Sequence, residues 1–156
     1  MLTVSPLASF TAPLPGKAKL DYVVALGAIT SVMMRSPSYC QYPIACIHEW
    51  IRPPILHDQY QLFSDAGGNT VGYMTWAYLA EDAEGRLLHD PAVLFHLSEW
   101  NEGDRLWVMD FVVINHDVRH CLREALTRLG GCGEVRWLRR HDDGSIRKTM
   151  RRRVRV

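Results

Sequence analysis

Apolar and polar positions alternate along this chain in two distinct rhythms, and the switches between them outline its elements. Residues 1–19, rich in Pro, Ser, Thr and Ala, keep no sustained period and predict an extended, mobile leader. From Leu20 to Met34 the apolar residues Tyr22, Val23, Leu26, Ile29, Val32 and Met33 recur every three or four positions. That spacing predicts a helix, which Pro37 stops by steering its predecessor out of helical geometry. Ile44 to Ile51 is apolar enough for a strand or a short helix, ended by Pro53-Pro54. Tyr60 to Phe63 and Thr70 to Tyr78 alternate as strands do, and the Asp65-Ala66-Gly67-Gly68-Asn69 turn between them predicts a hairpin.

The second half continues in the same manner. Glu81 to Gly85 reads as a polar connection, and Asp90 to Ser98 as a helix with Asp90 as cap and Pro91 at its first position. Leu106 to Ile114 predicts a buried strand. Asp117 to Leu129 predicts a helix with Val118, Cys121, Leu122, Ala125 and Leu129 on one side and Gly130-Gly131 as its stop. Val135 to Arg140 and Ser145 to Val154 flank His141-Asp142-Asp143-Gly144, and Asp-Gly is a strong hairpin signal. Strands and helices alternating in this order predict an α+β fold around a mostly antiparallel sheet.

Composition narrows the class. The 156 residues suit one domain, expected over 20–156, and 47% apolar with 22% charged residues is the balance of a folded globular chain. The net charge is +1, yet Arg136, Arg139, Arg140, Arg147, Lys148, Arg151, Arg152, Arg153 and Arg155 crowd one end. Such a run is a solvated face, a dock for an acidic protein, or a nucleic-acid contact; no RRM, KH or zinc-finger signature supports the last. Cys40, Cys46, Cys121 and Cys132 form no CxxC pair and read as reduced thiols. The start of the chain lacks a charged region followed by an uninterrupted apolar stretch, and no apolar run is long enough to cross a membrane, so the expected compartment is the cytoplasm. The histidines are scattered, without a motif such as HExxH, and no metal is expected.

Chemistry enters with Asp110. It sits between Trp107-Val108-Met109 and Phe111-Val112-Val113-Ile114, where an unpaired buried polar group costs about 2–7 kcal/mol. A carboxylate kept there is either paired structurally or retained for chemistry. Arg105 reads as a structural partner of Asp104, and His120 as a local partner of Asp117. Ser36-Pro37-Ser38-Tyr39-Cys40-Gln41-Tyr42-Pro43 follows the first helix, and Gln59-Tyr60, Val71-Gly72-Tyr73-Met74-Thr75-Trp76-Ala77 and the run from Gly103 to Asp110 come after it. Taken in order, from Leu26 to Lys148, these segments resemble the RTX toxin-activating lysine acyltransferases. Those enzymes move a fatty acyl chain from acyl carrier protein to internal lysines of a protoxin.

The resemblance implies a GNAT-like acyltransferase fold, an acyl carrier protein bearing a phosphopantetheine thioester as donor, an RTX-like protoxin or other protein as acceptor, and a homodimer. It places the family Asp on Asp110 and the family Ser on Ser36, while the position of the catalytic His holds Tyr39. A phenol with its ordinary pKa is ionised in only about one molecule in a thousand at neutral pH, so Tyr39 suits positioning or proton donation better than general-base work. His48 is a candidate substitute imidazole, and Cys40 a candidate acyl-accepting thiol. Direct loss of the amine proton to water is the third route. Trp76 and Trp107 read as core aromatics that could also line an acyl channel. Arg139, Arg140, Arg147 and Lys148 would dock the acidic carrier. The alternative is a binding module that holds an acyl chain, a carrier or a protoxin without turnover.

Overall fold

The computed structural model describes residues 16–115, 117–141 and 145–154. Helix α1 spans Gly16–Arg35, four residues longer at its start than the periodicity indicates, so the expected leader shortens to the residues before it, which lie outside the described set. A π turn at Ile47–Ile51 runs into a short α2, Arg52–Leu56. Then follow β1 (Tyr60–Ser64), β2 (Thr70–Leu79), α3 (Glu81–His89), a 3-10 turn at Leu97–Trp100, β3 (Arg105–Val113), α4 (Val118–Arg128), β4 (Gly133–Arg140) and β5 (Ile146–Val154). The strands form one sheet in the order β1-β2-β3-β4-β5, antiparallel throughout except for the parallel β3–β4 pair. The mixed, mostly antiparallel α+β architecture is the expected one.

Several local expectations need correcting. Ile44 to Ile51 is helical at its end, and Pro53-Pro54 does not stop it. Both prolines sit in the first turn of α2, where the missing N–H groups have no intrahelical partner to lose. The polar stretch from Glu81 is a helix, because Ala83 and Leu87 are spaced to bury one stripe and Glu81, Asp82 and Glu84 fill its positive first turn. Asp90 to Ser98 forms no α-helix. Asp90 Oδ1 accepts from the Ala92 amide at 2.9 Å, and a 3-10 turn starts at Leu97, capped by His96 and Glu99. On α4, Cys121, Ala125 and Leu129 are buried, whereas Val118 and Leu122 are nearly half exposed. Arg105 pairs with Glu81 and Glu84 rather than Asp104, and His120 lies 3.2 Å from Glu124 rather than Asp117. The Asp142-Asp143-Gly144 turn lies outside the described residues.

Two layers of side chains cover the sheet. On one face α4 closes a core of Phe63, Met74, Trp76, Leu106, Cys121, Ala125 and Leu129. On the other, α1 and α2 close over Ile29, Val32, Ile51, Tyr73 and Val112, and α3 over Ala77, Leu79, Trp100 and Trp107, with Trp50 packed against both groups. Gly103 joins the 3-10 turn to β2: its amide donates to Tyr78 O at 2.9 Å, and a Cβ there would fall 2.0 Å from the Leu79 carbonyl, so only glycine fits.

Candidate active site

One irregularity in β3 decides where Asp110 points. Thr75 pairs with Asp110 but Trp76 pairs with Val108, which leaves Met109 as an extra residue in the strand. Before this bulge the alternation is regular, with Leu106 and Val108 on the α4 side and Trp107 and Met109 on the α3 side. After it, Phe111 and Val113 face α4, and Val112 faces α1. The inserted residue has turned Asp110 away from the α4 core and toward the loop after α1, an effect that bulges commonly have beside reactive sites. The bulge also marks a divergence: β3 and β4 pair only through Leu106–Val135, Trp107–Arg136 and Val108–Trp137, although β3 continues to Val113 and β4 to Arg140.

Asp110 is 6% exposed and takes hydrogen bonds from three side chains. The Tyr39 hydroxyl donates to Oδ1 at 2.7 Å, while the Trp50 indole N–H and the Thr75 hydroxyl donate to Oδ2 at 2.8 and 3.2 Å. Burial pushes the Asp110 pKa above the ordinary carboxyl value, and the bonds from Tyr39, Trp50 and Thr75 draw it back. The same burial, reinforced by the adjacent carboxylate, raises the Tyr39 phenol well above its ordinary value, so Tyr39 is a neutral donor. Tyr73 stands edge-on to Tyr39 with ring centroids 6.4 Å apart; its hydroxyl is buried and has no hydrogen-bond partner among the described residues, and burial raises its pKa too. Burial and Asp110 likewise push up the Cys46 thiol.

Local sequence explains the placement. Ser36 is buried at the end of α1, and its carbonyl accepts the amides of Tyr39 at 3.1 Å and Cys40 at 2.9 Å, a tight turn that swings Tyr39 back over the sheet. The π turn carries Trp50 inward, where its ring stacks on Phe95 and meets Trp100 edge-on. Of the expected site residues, Asp110 and Tyr39 meet directly, and Ser36 joins them only through its backbone carbonyl at the turn. His48 does not: its side chain is 57% exposed and pairs with Glu49 at 2.8 Å. Cys40 is exposed, with its thiol donating to Pro37 O at 3.5 Å.

Neither Trp76 nor Trp107 touches Asp110. Trp76 lies in the α4 core beneath the Arg128 guanidinium, and the Trp107 N–H donates to Glu84 Oε1 at 2.8 Å. The indole that does meet the carboxylate, Trp50, was not singled out by the sequence pattern, nor was Thr75. The alternation of β2 puts Thr75 and Tyr73 on one face, and with the bulge recognised it would have pointed to Thr75.

The basic end divides in two. Arg136 is neutralised by Glu84 at 2.7 Å and Glu134 at 2.9 Å, and Arg140 donates to Leu87 O at 3.1 Å. Arg139, Arg147, Lys148, Arg151, Arg152 and Arg153 are exposed on β4 and β5. No group of three or more His, Cys, Asp or Glu side chains placed to hold a metal ion occurs among the described residues, and none of their helices is long and apolar enough to cross a membrane.

Comparison with known proteins places this geometry in context. The RTX-II toxin-activating lysine-acyltransferase ApxIIC of Actinobacillus pleuropneumoniae is 33% identical over 94 residues, 60% of this chain and 57% of that protein. The leukotoxin-activating lysine-acyltransferase LktC of Mannheimia haemolytica (serotype A11) is 35% identical over 92 residues, covering 59% and 54%. The protein-lysine palmitoyltransferase CyaC of Bordetella bronchiseptica is 33% identical over 107 residues, covering 68% and 57%. The chain thus spans a little over half the length of the relatives it matches. The family model described as the RTX toxin acyltransferase family matches residues 18–153, nearly the whole chain, and the chain belongs to that family.

Proposed function

We propose that this chain is a protein-lysine N-acyltransferase that moves a fatty acyl group from the phosphopantetheine thioester of acyl carrier protein to internal lysines of an RTX-type protoxin or a similar protein. One observation supports it above the rest: a buried carboxylate, turned by a bulge and held by Trp50 and Thr75, keeps one oxygen for Tyr39, the residue that the resemblance sets at the family's histidine position.

In the reaction the neutral lysine amine attacks the thioester carbonyl, the N–C bond forms, and the C–S bond breaks. The proton lost by nitrogen ends on the departing thiolate. Tyr39 and Asp110 are suited to relay that proton: the hydroxyl accepts it as its own hydrogen passes to Asp110 Oδ1, a carboxylate whose raised pKa makes it a better base than an exposed Asp. Tyr39 then returns a proton toward the sulfur. The buried hydroxyl of Tyr73, on the same face and without a hydrogen-bond partner among the described residues, is suited to donate to the carbonyl oxygen as negative charge develops.

The divergence of β3 and β4 supports a GNAT-like placement of the donor. Past Val108 and Trp137 the strands offer backbone groups to an extended amide-bearing arm, and Met109 and Leu138 provide apolar side chains beside it for the acyl chain. The acidic carrier would rest on Arg139, Arg147 and Lys148.

A second reading, a binding module without turnover, is favoured by the raised pKa of Tyr39, which keeps the phenolate out of reach. The deciding experiment incubates the protein with acyl-loaded carrier and a lysine-bearing acceptor and follows the acyl mass. Transfer by the wild type, lost in Tyr39→Phe and in Asp110→Ala, supports the relay. Transfer seen only after Tyr39→His assigns the native chain to binding.

A further inference from the structure

The face of the sheet opposite Asp110 carries a second feature that the acyl-transfer chemistry does not use. A groove of about 600 Å³ runs between β1 and α4, with Gln61, Leu62 and Ser64 on one wall and Arg123, Thr127 and Arg128 on the other. β1 is an edge of the sheet. The Trp76 amide donates to Gln59 O at 3.0 Å, and the register pairs Tyr60 with Thr75 and Leu62 with Tyr73. In an antiparallel ladder, directly bonded pairs alternate with unbonded ones, so Gln61 and Phe63 bond to β2 while the N–H and C=O of Leu62 point outward. Among the described residues nothing pairs with that edge.

Natural edge strands are guarded by charge, proline or bulges, yet Tyr60 to Ser64 has neither a charge nor a proline, and its one irregularity falls at the far end, between Phe63 and Ser64. The charge lies across the groove instead. Arg123 has no carboxylate partner among the described residues, and Arg128 stacks over Trp76 with Asp58 4.0 Å away. His120 and Glu124, also on α4, pair with each other at 3.2 Å. On the groove's β1 side, Gln61 Oε1 is buried without a hydrogen-bond partner among the described residues, an acceptor awaiting a donor.

We infer that the β1 edge is a docking groove for an extended, acidic polypeptide segment, which adds as a strand beside Leu62 and sets its carboxylates against Arg123 and Arg128. Strand addition draws affinity from the backbone and selectivity from alternate side chains. Five residues of strand span about 17 Å, enough to pair a short segment. The groove and the Tyr39–Asp110 pair lie on opposite faces of the sheet, so an occupied edge leaves the reactive face open. Identifying the segment as part of the acyl acceptor rests on the proposed function; the docking itself does not.

The test uses the full chain and a synthetic ten-residue peptide of alternating glutamate with threonine or valine, blocked at both ends. Two controls accompany it: the same peptide with lysine for glutamate, and the acidic peptide N-methylated at alternate residues. Binding is followed by fluorescence anisotropy, and its location by amide NMR shifts and hydrogen exchange at Leu62. The acidic peptide is expected to bind, to slow exchange at Leu62, and to lose at least tenfold in affinity with Arg123→Glu, an exposed position whose substitution leaves the circular dichroism spectrum intact. Equal binding of the N-methylated peptide would remove the strand pairing, and equal binding of the lysine peptide would remove the charge selection. Shifts confined to the basic β5 face would place any binding elsewhere. Each of these three results overturns the inference. Because no acyl group is involved, failure here leaves the transferase proposal standing, and failure of acyl transfer leaves the groove standing.

Discussion

A phenol donating to a buried carboxylate sets how the site answers pH. Burial and the Asp110 charge hold the Tyr39 proton well above the ordinary tyrosine value, and burial does the same for Tyr73. The folded chain therefore keeps protons that the unfolded chain releases near pH 10. The resulting stability is complete below that pH and is lost as pH rises further, by about 1.4 kcal/mol per pH unit for each such tyrosine. Tyr39→Phe should make the fall in unfolding free energy between pH 10 and 11.5 shallower by that slope. An unchanged slope would show that Tyr39 ionises normally. Asp110 gives the matching test in acid. Its raised pKa means that the folded state holds this proton more tightly than the unfolded state, so its contribution is greatest below the ordinary value of 3.8 and declines as pH rises through the folded value. Asp110→Asn should remove that decline in denaturation measured from pH 3.5 to 7, and should lower acyl transfer about 100-fold or more. A wild-type-minus-variant stability difference that stays flat across the range would sink the assignment.

At the scale of elements the Met109 bulge is the decisive device. Deleting Met109 should leave Trp76 opposite Val108 and Thr75 opposite Asp110 in an unbroken ladder, with the carboxylate still on the Tyr39 side but without the local kink and twist that the extra residue gives the strand. The expected result is a folded protein in which the carboxylate is displaced against Tyr39 and Trp50, read as acyl transfer lowered by up to about 100-fold. A deletion variant of undiminished activity would show that the bulge is dispensable. That bulge also explains how much could be read in advance. The sheet, the hairpins and α4 follow from period and turn chemistry, and Asp110 stood out because a charge in an apolar strand needs a reason. Tyr39 and Ser36 were located by the family resemblance. Trp50 escaped because a π turn has no hydrophobic period of its own, and its indole resembles any core aromatic until the carboxylate is seen beside it. His48, exposed and paired with Glu49, illustrates that nearness in sequence to that turn does not decide which side of it faces the cleft. The α3 segment was read as a loop because its two buried residues, Ala83 and Leu87, are outnumbered by charges.

Across the whole molecule, charge and reactivity are set apart. The exposed cations Arg139, Arg147, Lys148, Arg151, Arg152 and Arg153 lie on β4 and β5, while Glu84 ties Arg105, Arg136 and the Trp107 indole into one neutralised cluster between α3 and the sheet. The exposed set should govern encounter with an acidic carrier more than chemistry. Reversing Arg147, Lys148 and Arg151 to Glu should raise the KM for the loaded carrier about tenfold or more, flatten its dependence on salt, and leave kcat within about twofold. A fall in kcat with unchanged KM would place these residues in the reaction instead. Finally, the three donors to Asp110 come from positions 71, 60 and 35 residues earlier in the chain. Such distant closures are slow steps of folding, and during synthesis all three donors are made before their acceptor. A ribosome-bound fragment ending before β3 therefore lacks the carboxylate and its three-donor cradle, which assembles in one late event, when the strand carrying Asp110 joins the sheet.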